Sequence, residues 1–138
     1  MALINVFDIA GSAMSAQSVR LNTTASNMAN ADSVSSSIDE TYRARHPVFQ
    51  TMFNSFMKDE QNMAGVRVAG IVESEAPLEE LYQPQHPQAN EEGYIFRPNV
   101  NVMEEMANMM SASRSYQNNV EVMNTSKELL LRTLSLGQ

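Results

Sequence analysis

The 138-residue sequence contains no cysteine, which excludes disulfide bonds, thiolate metal sites and cysteine nucleophiles. It is also short of basic charge: 9 lysine and arginine residues stand against 16 aspartate and glutamate residues, and the formal net charge is −7. Because nucleic-acid binding usually requires a basic face, we expect no nucleic-acid partner. No apolar run is long enough to cross a bilayer, so we also expect a chain that does not span the membrane.

Proline is missing from both ends of the chain, since all five prolines lie between residues 47 and 98. Proline disrupts a helix interior, so its absence from the flanks permits long helices there. The same middle segment carries most of the net negative charge, whereas both ends are nearly neutral. The sequence therefore predicts an α+β fold with a helix over residues 1–31, a β-rich middle over residues 32–98 and a second helix over residues 99–138.

The clearest local signal is a heptad seam near the C-terminus, where apolar residues recur in alternating steps of four and three. Asn101 is placed to cap the start of this helix, and Glu104 follows at the spacing of a capping box. We expect the seam to pack against helices of other chains. Its residues are Val102, Met106, Met109, Tyr116, Val120, Met123, Leu130 and Leu134.

A weaker seam of the same spacing marks the N-terminal helix, with Asn30 predicted as a left-handed cap at its end. The simplest interpretation of the two seams is one antiparallel pair within the chain. However, the first helix is rich in small uncharged residues and lacks a charged outer face, which favours partner helices from other chains. The packing residues predicted here are Leu3, Phe7, Met14, Leu21 and Met28.

The middle of the chain shows short alternating segments that are typical of β-strands. We predict a turn at Gly65 and a β-bulge near Gly70, because glycine tolerates both. Residues 49–57 fit either a strand or a helical turn. The predicted strands cover residues 42–45, 66–73, 81–82 and 93–96.

The sequence offers little that would support catalysis. His46 and His86 each stand beside a proline, with no metal-ligand spacing around them. The adjacent acidic pairs 79–80 and 91–92 are best interpreted as a solvated face. We therefore predict no catalytic residue, no cofactor and no metal site. The eleven methionines suggest an adaptable packing surface, because methionine fills irregular gaps.

Two stretches resemble a known family. The first helix closes on a run typical of flagellar rod, hook and hook-associated axial proteins, and its residues here are Ala25, Ser26, Asn27, Ala29 and Asn30. Residues 98–125 resemble the proximal-rod members of that family, as do residues 1–13 and 72–77. The chain thus resembles a flagellar basal-body rod protein over nearly its whole length. Residues 33–41 depart from the family, because they lack its usual glycine and proline.

The resemblance implies a structural subunit of the bacterial flagellar proximal rod that performs no catalysis. Its terminal helices would form the inner tube around the export channel, within a drive shaft that transmits torque. Its partners would be copies of itself, other flagellar rod proteins, and hook-basal-body and export-gate components, with no small-molecule substrate. It would reach the periplasmic rod of the basal body through the flagellar type III system without a cleaved signal peptide. Consistently, Asp8 interrupts the N-terminal apolar run.

Other functions remain open from the residues alone. A sibling rod or needle-type subunit of a related secretion machine would share the terminal seams and differ in the middle segment. A free coiled-coil adaptor in the cytoplasm would show folded termini as a small soluble oligomer. An enzyme would require a pocket with convergent titratable groups.

Overall fold

The computed structural model describes residues 2–53 and 64–136, and the side chains of residues 5–52 and 65–136. Helix α1 (Ala2–Ala29) precedes four strands, and helix α2 (Val102–Leu136) follows them. The strands are β1 (Arg45–Phe53), β2 (Ala64–Glu73), β3 (Glu79–Tyr82) and β4 (Tyr94–Arg97). The predicted α+β architecture, with two long terminal helices packed together and a small β-rich middle, is confirmed.

The two helices pack along each other through unusually small side chains. Ala16 of α1 is 3% exposed, Ala112 of α2 is completely buried, and Ser126 is also buried near the far end of the contact. Small side chains allow two helix backbones to approach closely, so this seam buries little apolar area per residue. One hydrogen bond crosses it, from the Arg20 guanidinium to Asn108 Oδ1 at 2.8 Å.

Strands β1 and β2 form a two-stranded antiparallel ribbon that contacts α1. Val66 donates its backbone N–H to Ser12 Oγ of the helix at 3.2 Å. The pairing shifts between Val48 and Phe49, which leaves Ala69 as the extra residue beside Gly70. The predicted β-bulge is therefore confirmed.

Strands β3 and β4 form a second ribbon, which supplies the largest side chains of the core. Ile95 is 2% exposed and Phe96 is 8% exposed. Phe96 also exchanges two backbone hydrogen bonds with Ser35, at 3.1 and 2.9 Å. This bridge fastens the second ribbon to the segment that follows α1.

Three local predictions need correction. Of residues 42–45 only Arg45 lies in a strand, and β1 continues through Pro47, which a ribbon of two edge strands tolerates. Gly65 pairs with Met52 inside β2, so the predicted turn there is wrong. Residues 49–53 are strand, whereas the rest of the ambiguous segment 49–57 lies outside the described residues.

The predicted left-handed cap at Asn30 is also wrong, because no described residue other than Gly93 has a positive φ. Asn30 closes α1 with its side chain instead. Its Nδ2 donates to the backbone carbonyl of Ser26 at 2.8 Å, and its backbone N–H reaches the same carbonyl at 3.2 Å. The Ser26 carbonyl thereby accepts two hydrogen bonds, and the helix ends without a strained backbone.

Candidate functional site

The start of α2 is fixed by the predicted N-cap. Asn101 Oδ1 accepts the backbone N–H groups of Met103 at 3.1 Å and Glu104 at 3.4 Å, so this prediction is confirmed. Glu104 and Glu105 lie in the first turn, where the positive end of the helix dipole favours carboxylates. This cap sets the direction in which the first turns of α2 present their side chains.

The first turns of α2 expose an apolar surface, which we call the methionine patch. It consists of Val102, Met103, Met106 and Met110, with exposed fractions of 40, 76, 47 and 61%. The chain's own core is built mainly from alanine, whereas these larger apolar side chains face solvent. Exposed apolar surface in a folded chain commonly marks a protein contact.

The predicted seam of α2 divides into two lines in the structure. Met109, Tyr116, Met123 and Leu130 are half-buried, whereas Val102, Met106 and Leu134 are exposed and Val120 is half-buried. The most buried α2 positions are instead Glu105, Ala112 and Ser126, none of which belongs to the predicted seam. The helix is therefore turned so that these three side chains are buried and part of the apolar seam faces outward.

The predicted packing residues of α1 are partly covered. Phe7, Met14, Leu21 and Met28 are all half-buried, and the side chain of Leu3 lies outside the described residues. The outer face of the helix is small and uncharged over four turns, with Ser15, Ser18, Asn22, Ala25 and Ala29 all exposed. Such a face allows close approach by another backbone.

Asn27 is the most enclosed large side chain of the described residues, with an exposed fraction of 0%. Its Nδ2 donates to the carbonyl of Arg45 at 2.8 Å, and its Oδ1 accepts the Arg45 N–H at 2.9 Å. The same Oδ1 accepts the Tyr42 hydroxyl at 2.8 Å. The amide thus pairs with the first residue of β1 as a neighbouring strand would, and joins the end of α1 to the sheet.

Asn99 makes a similar connection just before α2. Its Oδ1 accepts the backbone N–H of Ala44 at 2.8 Å, and its Nδ2 donates to the carbonyls of Ala76 at 2.8 Å and Ser74 at 3.3 Å. Together with Asn27, it holds the two helix ends to adjacent residues of one chain segment. We call this arrangement the asparagine joint, formed by Asn27 and Asn99.

The β1–β2 ribbon carries a second exposed apolar surface. Val48, Phe49, Met52, Ile71 and Val72 are between 40 and 52% exposed. An isolated two-stranded ribbon is only marginally stable in water, so the stability of this ribbon depends on its packing against α1. Its exposed apolar side chains form a second candidate interaction surface.

The described residues provide little for catalysis. His46 is exposed and His86 is half-buried, and the described part of the chain holds no group of three or more His, Asp or Glu residues that could bind a metal ion. Neither helix, over its described length, is long and apolar enough to cross a membrane.

Comparison with known proteins decides the family. Residues 7–35 match the family described as "Flagella basal body rod protein", and residues 91–136 match "Flagellar basal body rod FlgEFG protein C-terminal". Over 138 residues the chain is 54% identical to flagellar basal-body rod protein FlgC of Salmonella typhimurium, with all of both chains covered. It belongs to the flagellar basal-body rod protein family.

Other members of the rod family match over the same length. The chain is 55% identical to FlgC of Yersinia enterocolitica and 40% identical to FlgC of Buchnera aphidicola from Acyrthosiphon pisum, again with all of both chains covered. The resemblance read from the sequence is therefore confirmed, including its proximal-rod member.

The structure adds roles that sequence reasoning missed in this rod protein. Asn99 was not singled out, and Asn27 was named only as part of the family run. An asparagine two residues before the N-cap Asn101 and another at the end of α1 were the available signals, since asparagine side chains readily bond to backbone groups. Their partners could not be named before the strands were placed.

Proposed function

We propose that this chain is a structural subunit of the flagellar proximal rod that assembles through its terminal helices and catalyses nothing. One observation carries the proposal: large apolar side chains of α2 face solvent while the apolar core is built mainly from alanine. Burying exposed methionine and leucine between subunits stabilises an assembly by about 25 cal/mol per Å² before ordering costs. Membership of the rod family supplies the kind of assembly.

In this proposal the rod transmits torque and encloses the export channel. The exposed face of α1 fits a channel wall, because its small polar side chains are uncharged and would bind little to passing chains. The partners are copies of this chain, other rod proteins, and hook-basal-body and export-gate components. The chain reaches the periplasmic rod by flagellar type III export without a cleaved signal.

The asparagine joint supports the mechanical part of the proposal. It connects both helix ends to the start of β1 through hydrogen bonds of a completely buried side chain and a half-buried one. A force applied to the ribbons is thereby passed directly to the helices. The predicted packing residues Leu21, Met109 and Tyr116 lie on the helices that receive it.

The proposal is tested by placing charge on the methionine patch. Met106→Asp and Met110→Asp should leave the fold intact, because both side chains are exposed, and should abolish rod completion and swimming. Gln117→Asp is the matched control, since Gln117 is exposed on the same helix outside the patch. Circular dichroism checks folding, while soft-agar motility and electron microscopy of basal bodies check assembly. Normal rods in both methionine variants would refute the proposal.

A further inference from the structure

Helix α2 extends beyond the described start of α1. The asparagine joint places the end of α1 and the start of α2 together, so the helices run antiparallel. The Arg20–Asn108 hydrogen bond then sets their register. From that bond α1 continues for eighteen residues to Ala2 and α2 for twenty-eight residues to Leu136. The excess of ten residues is about 15 Å of helix.

These last ten residues, 127–136, form what we call the leucine overhang. The last buried residue of α2 is Ser126, which agrees with the register. Beyond it Leu129, Leu131, Leu134 and Leu136 are 51, 55, 63 and 86% exposed. Four of the leucines of these three turns are therefore exposed beyond the described length of α1, which is a large apolar surface for a helix end in water.

The opposite end of α2 offers a complementary surface. Within the leucine overhang Arg132 pairs with Glu128 at 2.6 Å, so the net charge of +1 comes from Lys127, whereas the turns of the methionine patch expose Glu104. Two such ends laid side by side in parallel attract each other through these opposite charges and bury apolar side chains.

Resting on the proposed function, we propose that the leucine overhang of one subunit docks on the methionine patch of a second copy of this chain. The two surfaces lie at opposite ends of one helix, so the contact is heterologous and extends along the axis rather than closing a pair. Methionine suits this role because its flexible side chain adapts to the leucines it receives.

Site-specific photo-crosslinking in flagellated cells tests the docking. p-Benzoylphenylalanine replaces Leu134 in the full-length chain, and mass spectrometry maps the adduct. Adducts should lie within residues 102–110 of a second copy, and adducts to another rod-family subunit alone would overturn the choice of partner. Leu136, which is 86% exposed, is a second position should the first variant fail to assemble. Motile cells whose adducts map elsewhere, or form none, would overturn the docking.

The same probe at Met106 separates this inference from the proposed function. Met106 is 47% exposed within the methionine patch, on which the proposed function rests. Adducts from Met106 to rod subunits outside residues 127–136, without patch adducts from Leu134, would overturn the docking alone. If neither position yields adducts to any rod-family subunit in assembled cells, the proposed function fails as well.

A charge exchange provides an independent measurement. Glu104→Lys should lower the yield of Leu134 adducts by about two- to fivefold, the range of a solvent-exposed ion pair. Adding Lys127→Glu to the same chain should restore the yield, because both charges are then reversed. An unchanged yield in the single variant, or no recovery in the double variant, would contradict the proposed orientation.

Discussion

Replacement of Asn27 by alanine should destabilise the folded chain more than any other single change at the end of α1. The side chain is completely buried and makes three hydrogen bonds of 2.8–2.9 Å, two to the backbone of Arg45 and one to the Tyr42 hydroxyl. Each bond contributes about 0.5–1.5 kcal/mol net, and the groups left unpaired add a desolvation cost. We expect the free energy of unfolding to fall by about 3 kcal/mol.

The assay is thermal unfolding of the purified full-length chain, followed by circular dichroism. A loss of about 3 kcal/mol corresponds to a fall in Tm of roughly 10 °C for a domain of this size. Asn30→Ala is the matched control, because this asparagine ends the same helix, is half-buried and makes one side-chain hydrogen bond. It should lower Tm by no more than a few degrees.

Tyr42→Phe refines the test. It removes the hydroxyl that bonds to Asn27 Oδ1 at 2.8 Å and lies 3.3 Å from Ser26 Oγ. Alone it should cost about 1 kcal/mol. In the double variant with Asn27→Ala, the loss in free energy of unfolding should be smaller than the sum of the two single losses, since both substitutions remove the same hydrogen bond. If Asn27→Ala matched Asn30→Ala in Tm, or if the double variant were fully additive, the role assigned to the asparagine joint would be refuted.

Three further substitutions test other parts of the structure. Ala112→Leu should lower stability by about 1–3 kcal/mol in urea unfolding, since Ala112 is 0% exposed within the helix contact, whereas Ala107→Leu, at an exposed position, should change little. Gly93→Ala should cost about 1–3 kcal/mol, because φ is +84° and a Cβ would lie 2.9 Å from Tyr82 Cε2; an unchanged Tm would contradict this. Asn101→Ala should lower the free energy of unfolding by about 1 kcal/mol through loss of the N-cap. Asn101→Asp keeps a capping oxygen and should retain most of that stability, as thermal unfolding can show.

The two helices and the central strands followed from proline placement and from apolar spacing. What spacing could not supply was the rotation of α2 about its own axis. Apolar spacing placed Val102 and Met106 in the predicted seam, whereas the residues of α2 that are buried include Ala112 and Ser126. A pattern of apolar residues predicts which side chains pack against a partner. It does not distinguish a partner helix in the same chain from one in another chain.

The start of β1 was misplaced for a different reason. Residues 42–44 have strand-like composition, but their backbone and side-chain groups bond to Asn27, Asn99 and the end of β2 rather than to a continuous strand. Such side-chain bonds between distant segments leave no periodic signal in a sequence. The prediction named three of the exposed apolar side chains of α2, Val102, Met106 and Leu134, whose packing against other chains stays a prediction, and it did not name the asparagine joint.

The alanine and serine seam between the helices has a mechanical consequence. Shallow side chains interlock weakly, so sliding one helix along the other meets little steric resistance. Among the described side chains, a single hydrogen bond, Arg20 to Asn108, joins α1 to α2. The asparagine joint anchors the pair at one end only. In the proposed rod, a subunit would therefore shift its two helices along each other when neighbours press on them, and absorb small differences in spacing between successive layers.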